Sequence, residues 1–306
     1  TEAAVDFGFF NDRLLLSANY YRNVSDNQLV QYKLPYITGF ASITRNLPAR
    51  VENTGWELQL TGMIIQKKDL QWSVGANVTI PKNKLLEFPG LNESNYAYRY
   101  SIGYSLNLIK GYRSTGLDPA TGKYTYKDLN QDGILNTADY ENLGTTDPKY
   151  YGGINSNFKY KGFELDVFAD FRRQTGRDFL YSIYSLRRVG GTMFNQPIAL
   201  LDHWTSANVS APYEKYLISA TSETDRLPLS DRAYSDQSYF RLRNVALAYN
   251  IPSKVLRTLS IQRARVYFQA QNLFTTTKTK GYNPETQQLY GLAPLRVLNV
   301  GASLTF

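Results

Sequence analysis

Leu70-Gln71-Trp72-Ser73-Val74-Gly75-Ala76-Asn77-Val78-Thr79-Ile80 alternates without a break. Leu70, Trp72, Val74, Ala76, Val78 and Ile80 share one parity; Gln71, Ser73, Gly75, Asn77 and Thr79 share the other. Period 2 held that long marks a β-strand whose two faces meet different surroundings. The segment before it repeats the pattern, with Trp56, Leu58, Leu60, Gly62 and Ile64 opposing Glu57, Gln59 and Thr61. Phe163, Leu165, Val167, Ala169 and Phe171 oppose Glu164, Asp166, Asp170 and Arg172, with Phe168 the exception. Ala264, Val266, Phe268 and Ala270 follow, then Leu298, Val300, Ala302, Leu304 and Phe306. Weaker alternation covers residues 4–10, 14–21, 151–160 and 239–250. In the last, Phe240 and Leu242 fall on one parity and Val245, Leu247 and Tyr249 on the other, so a bulge is expected near Arg243-Asn244.

Strand length separates two all-β readings. Strands of soluble sandwiches run to about 5–6 residues, whereas a membrane-crossing strand needs about 9–11. The best segments here hold alternation for about ten residues, which favours a barrel with its apolar face in lipid. The connections agree. They are short at 11–13, long at 22–51, short at 66–69, very long at 81–149, short at 161–162, very long at 174–238, short at 251–260 and medium-long at 271–294. Alternating tight turns and long loops are the habit of outer-membrane barrels, with the long loops outside. The final strand then runs inward to a periplasmic Phe306. Nine strands result, an odd number that does not close a single-chain bacterial barrel. The expectation is a transmembrane antiparallel β-barrel of which residues 1–306 supply the C-terminal strands, the plug and N-terminal strands being absent. A segment at 101–112 is apolar enough for a strand but is placed inside the 81–149 loop. The alternative is a soluble β-rich carbohydrate-binding module, and a third reading is an outer-membrane hydrolase.

Composition narrows the chemistry. The 306 residues contain no Cys and one His, His203. That excludes disulfide scaffolds, thiol catalysis and sites needing two imidazoles. No apolar run approaches the roughly 20 residues of a membrane helix. The net charge of +8 is dispersed, with Arg172-Arg173 and Arg187-Arg188 the densest pairs, so no nucleic-acid partner is expected. The first residues lack the basic and apolar regions of a signal peptide. No G-x-S-x-G elbow accompanies Asp202-His203, so the chain is not expected to be an enzyme.

Several motifs, in order, carry a resemblance. They are Asn53-Thr54-Gly55-Trp56-Glu57-Leu58, Asp128-Leu129-Asn130-Gln131-Asp132-Gly133-Ile134, Asp147-Pro148-Lys149-Tyr150-Tyr151-Gly152 and Tyr239-Phe240-Arg241-Leu242-Arg243-Asn244-Val245. Ala270-Gln271-Asn272-Leu273-Phe274, Gly281-Tyr282-Asn283-Pro284-Glu285 and a terminal Val300-Gly301-Ala302-Ser303-Leu304-Thr305-Phe306 complete the set. The chain resembles the C-terminal region of SusC/RagA-type TonB-dependent outer-membrane transporters of Bacteroidetes. The resemblance implies a 22-stranded barrel with an N-terminal plug, a TonB box that engages TonB, and a SusD-like lipoprotein partner. It also implies import of glycan or peptide fragments driven by the inner-membrane proton gradient.

Four constellations are candidates for chemistry. Asp128, Asn130, Asp132, the Ile134 carbonyl, Asn136 and Asp139 stand at the six ligand positions of an EF-hand-type loop, with Gly133 at the turn, and Ca2+ is the expected ion. The departure is Asp139, where such loops carry Glu; the competing reading is an Asp-Gly turn with solvated carboxylates. Trp56, Trp72, Tyr20 and Phe171 fall at strand ends, as interfacial anchors do. Tyr96, Tyr98, Tyr100, Tyr181 and Tyr184, in loops, are candidates for stacking on ligands. Asp166, Asp170, Arg172, Arg263 and Arg265 fall on the polar face, as a cross-strand ion-pair ladder or a substrate path.

Overall fold

A computed structural model describes residues 1–33, 36–256, 261–279, 283–287 and 291–306. Its main feature is one antiparallel sheet of nine strands in sequence order. These are β1 (Glu2–Phe9), β2 (Leu14–Ser25), β3 (Arg50–Lys67), β4 (Leu70–Glu87), β5 (Tyr150–Tyr160), β6 (Phe163–Arg173), β7 (Tyr239–Asn250), β8 (Arg263–Thr277) and β9 (Val297–Thr305). All nine expected strands are present, each paired with its sequence neighbours. β1 and β9 form the two edges and do not pair with each other.

Register sorts side chains into cross-strand rows. Phe7, Leu16, Leu60, Ala76, Ile154, Ala169, Leu242 and Phe274 form one row. The next residue along each strand gives Asp6, Ser17, Gln59, Asn77, Gly153, Asp170, Arg241 and Thr275. One face is therefore apolar and the other polar across eight strands. The apolar face is uncovered: Phe7, Leu60, Ile154, Leu247, Val266, Val300 and Leu304 are all exposed, Val300 at 79%. A soluble sandwich would bury this face under a second sheet. Among the described residues the only other sheets are two-stranded, and the soluble-module alternative loses its structural basis.

The predicted bulge sits at Arg243: Leu242 and Asn244 face consecutive residues of β6, Ala169 and Phe168, and Arg243 has no partner there or in β8, where the register jumps from Phe274 to Gln271. One extra residue lets Phe240 and Leu242 share a face with Val245 and Leu247 despite their parity.

β3 and β4 run to 18 residues each, past the expected end at Ile80. At about 3.3 Å per residue they reach about 60 Å, twice the thickness of a bilayer core. The long loop therefore begins at residue 88 and not at 81. The extension passes Pro81, which faces Gly55 on β3. β5 has already ended there, its last pair being Tyr151 with Thr79, so the missing proline N–H deprives no neighbour.

The hydrophobic core lies outside the sheet. Tyr112, Tyr124 and Tyr126 from the 88–149 loop pack with Phe179, Leu180, Ile183, Tyr184, Val189, Leu200, Tyr213, Leu227 and Ala233 from the 174–238 loop. A helix, Phe179–Ser185, begins at Asp178, whose carboxylate accepts the Leu180 N–H. The segment 101–112 joins this cap through the short strand Leu108–Gly111, which pairs with Glu141–Thr145. A smaller cluster of Ala49, Leu85, Phe88 and Leu91 seals the top of β3 and β4.

Candidate functional site

The polar face of β3–β7 carries a cleft of about 810 Å³ near the long-loop end. Two adjacent rows form its wall. One contributes Asn77, Gly153 and Asp170, with Arg241 next in the row; the other contributes Tyr151, Arg172 and Tyr239. Phe168, the residue that broke the alternation of β6, lines the cleft. A side chain on Gly153 would come within 2.9 Å of its ring, so glycine at 153 makes room for Phe168.

The bulge decides how these charges pair. Arg243 donates to both carboxylate oxygens of Asp170, at 2.7 and 3.0 Å, and to Glu285 at 3.0 Å. Arg241, 3% exposed, donates to Thr275, Glu285 and Asn283. This network draws residues 283–287 of the last long loop onto the wall. Gln174, buried, adds a hydrogen bond to the Pro284 carbonyl at 3.0 Å. Burial works against ionisation of Glu285, but the two guanidiniums outweigh it and hold its carboxyl below the usual range. Gly281 and Tyr282 of the same motif lie outside the described residues.

The ion-pair ladder is thus partial. Asp170 pairs with Arg243, a residue absent from the expected set, and Arg265 pairs with Glu164 at 3.3 Å. Asp166 accepts from Asn157. Arg172 and Arg263 make no ion pair among the described residues.

The Asp128 loop is held by its own amides. Asp128 accepts N–H groups of Gln131 and Gly133, at 2.7 and 2.8 Å. Asp132 accepts from Ile134 and from the Asn130 amide. Asp139, 1% exposed, accepts from Leu129 and Asn136, and its carboxyl is held low chiefly by the Asn136 bond. Asn136 caps the turn Thr137–Asp139, and its side-chain amide donates to the Ile134 carbonyl. Gly133 takes φ +78°, a turn conformation that favours glycine. Among the described residues no three His, Cys, Asp or Glu side chains converge as a metal-holding group.

Most loop tyrosines are structural. Tyr96 and Tyr100 stack beside Phe88. Tyr184 is buried and donates to Glu214 at 2.6 Å. Tyr181 lies against Arg177 and Tyr234. Only Tyr98 of the five is exposed. Glu214 is a buried acid that sequence patterning does not mark; burial pushes its carboxyl up to about 7. His203 stacks on Tyr216 at 3.6 Å, and Trp204 donates to the Pro119 carbonyl, so this segment packs the two long loops together. At the strand ends, Tyr20 packs on Trp56 at 5.0 Å and Trp72 donates to Ser156.

No protein-family profile matches the chain. It is 26% identical over 310 residues to TonB-dependent receptor P3 of Formosa agariphila, covering 93% of this chain and 30% of that protein. It is 25% identical over 307 residues to TonB-dependent receptor SusC of Bacteroides thetaiotaomicron, covering 93% and 29%. Among solved structures it superposes on a chain of the RagAB peptide transporter with a TM-score of 0.80 at 26% identity, over 98% of this chain and 34% of that one. The open-open state of the RagAB importer gives 0.77 at 25%, over 100% and 34%. The chain spans about 30% of the length of the curated relatives it matches.

Proposed function

The chain is a relative of the SusC- and RagA-type TonB-dependent receptors, and on that footing we propose that it supplies barrel wall and outer loops to an outer-membrane nutrient importer. The polar face lines the lumen and the short-turn end, with Phe306, faces the periplasm. The observation that carries the proposal is the uncovered apolar face running across the sheet. An exposed apolar surface of that extent is a contact face for lipid or another protein, and strands long enough to cross a bilayer favour lipid. The edges β1 and β9 pair with strands of the remaining protein, since an open edge in lipid leaves backbone groups unsatisfied at several kcal/mol each. TonB, engaged through the N-terminal part, supplies the energy, and a SusD-like lipoprotein covers the loop side. Glycan or peptide fragments are the cargo class. The test is uptake by cells carrying the full-length protein. Import that stops with an uncoupler of the proton gradient and on loss of the lipoprotein supports this reading; import indifferent to both contradicts it.

The Asp128–Asp139 segment carries a second proposal, Ca2+ bound by Asp128, Asn130, Asp132, the Ile134 carbonyl, Asn136 and Asp139. Its support is the order of oxygens around Gly133. Each carboxylate already accepts amide N–H groups, so the ion would take the remaining lone pairs. Affinity of about 10⁻⁴–10⁻³ M suffices outside the cell. Calorimetry with calcium on the full-length protein should show that binding in the wild type and lose it in Asp128→Ala with Asp132→Ala. Equal heats from both proteins would remove the site.

A further inference from the structure

We infer that Arg172 is the anchor of a carboxylate-binding subsite on the lumen face, and that the cargo includes oligomers bearing carboxylates. The inference rests on the importer reading and names its substrate class.

Arg172 is bordered by Tyr151 on β5 and Tyr239 on β7 in one cross-strand row. Its guanidinium carbon lies 5.9 Å from the centre of the Tyr151 ring. Its Nε is shut off from solvent and has no hydrogen-bond partner. The side chain lines the 810 Å³ cleft and, among the described residues, forms no ion pair. The enclosed Nε is out of a ligand's reach; the two Nη groups make no hydrogen bond among the described residues and are the donors left for a ligand in the cleft.

The neighbouring acids do not relieve it. Asp170, two residues away, has both oxygens occupied by Arg243. Asp147, also in the wall, accepts from Asn107 at 2.7 Å. The bulge thus has a chemical result: with Arg243 on Asp170, Arg172 has no ion pair among the described residues. A planar acceptor with two oxygens matches the guanidinium fork. The cleft also holds Lys82, but Asp147 lies in the same wall, so a dianionic phosphate would meet less positive charge than it needs. Tyr151, which is exposed, and the Asn77 amide line the same cleft and are available to the rest of an oligomer.

Carboxylates reach such a site from acidic peptides or from uronic-acid sugars, and the experiment separates them. The full-length protein in detergent is titrated with tetraglutamate and with the C-terminally amidated glutamine tetramer. It is also titrated with tetragalacturonate and with its methyl ester. The wild type should prefer at least one acidic probe over its neutral counterpart, and the preferred pair identifies the source. Arg172→Gln should lower that preference about tenfold, the scale of a charge-assisted hydrogen bond. Arg172→Lys should keep part of it, and the neutral probes should bind all three proteins alike. Outer-membrane level and thermal stability of each variant are measured alongside. A wild type without preference for either acidic probe overturns the inference. So does an Arg172→Gln protein that loses stability but keeps the preference, since Arg172 would then pair with another part of the protein. Energy-dependent uptake of the native nutrient, measured separately, bears on the importer reading alone: intact uptake with unchanged preference removes only the subsite.

Discussion

The sheet and the loop cap bury their apolar residues in opposite ways. In the cap, Leu227 and Val189 are fully buried at 0% exposure. In the sheet, Leu60, Ile154 and Val300 point outward with no protein over them. Composition alone does not distinguish these leucines and valines. Their solvents do: the cap buries its own core against water, while the sheet leaves its apolar side for hydrocarbon and its polar side for a wet lumen. The contrast also explains where uncompensated polar groups can sit. Among the described residues Arg172 lines a cleft with no ion pair, whereas cap charges such as Arg113 and Asp231 pair at 3.0 Å.

The same truncation in the two regions should break the symmetry most clearly. Leu227→Ala should cost the cap about 2–5 kcal/mol, the range for a fully buried leucine. Leu60→Ala should cost a small fraction of that, because lipid tails fill the space. Hydrogen exchange of the cap amides against outer-membrane level of the full-length protein measures both. Equal losses would mean that the sheet face is packed against protein.

Charge substitution sharpens the sheet side. Ala76→Arg or Val74→Arg should impair assembly by about 2–4 kcal/mol near the bilayer midplane. Ser73→Arg and Asn77→Arg, on the other parity, should be better tolerated. Heat-modifiable mobility of the purified outer membranes reports the folded fraction.

The cap side has its own signature in pH. Glu214, 6% exposed and hydrogen-bonded by Tyr184, has its carboxyl raised by burial to about 7. The folded cap therefore binds a proton that the unfolded loop releases above its ordinary value near 4.5. Stability is full below that value and falls as pH rises through about 7, by about 3 kcal/mol in all. Glu214→Gln should flatten this slope while leaving the sheet unaffected, as read by exchange rates near Ile183 between pH 4.5 and 8. An unchanged slope would assign the pH dependence elsewhere. Smallest of all, Trp72→Phe removes one hydrogen bond to Ser156 and should cost about 0.5–1.5 kcal/mol, measured by urea unfolding in detergent.

The strands were legible because two solvents write a period of 2 onto the chain. Beyond Trp56 and Ile80 the strands leave the two-solvent region and Leu85 packs with loop residues Phe88 and Leu91, so alternation stops and the strand ends could not be read. The bulge was legible as a parity change between Leu242 and Val245. Its consequence was not, since the pairing of Arg243 with Asp170 depends on register between strands more than 70 residues apart. The cap was illegible for the same reason. Tyr112 donates its N–H to the Leu229 carbonyl and Tyr184 meets Glu214 across long loops. Of the loop tyrosines read as candidate ligand platforms, Tyr184 is core, and Tyr96 and Tyr100 pack partly buried against the cluster at Leu85.

On the proposed function, one parity of the sheet meets lipid and the other meets water. These 306 residues hold no cysteine, so in a full-length protein cleared of any other cysteine, single cysteines placed at successive positions from Leu70 to Ile80 can each carry a spin label. In reconstituted full-length protein, labels at Leu70, Trp72, Val74, Ala76, Val78 and Ile80 should collide with oxygen and be shielded from a water-soluble nickel chelate. Labels at Gln71, Ser73, Gly75, Asn77 and Thr79 should show the reverse, with the contrast deepest near Ala76. Accessibility to the chelate at both parities, or shielding from both reagents along the whole strand, would contradict the membrane barrel.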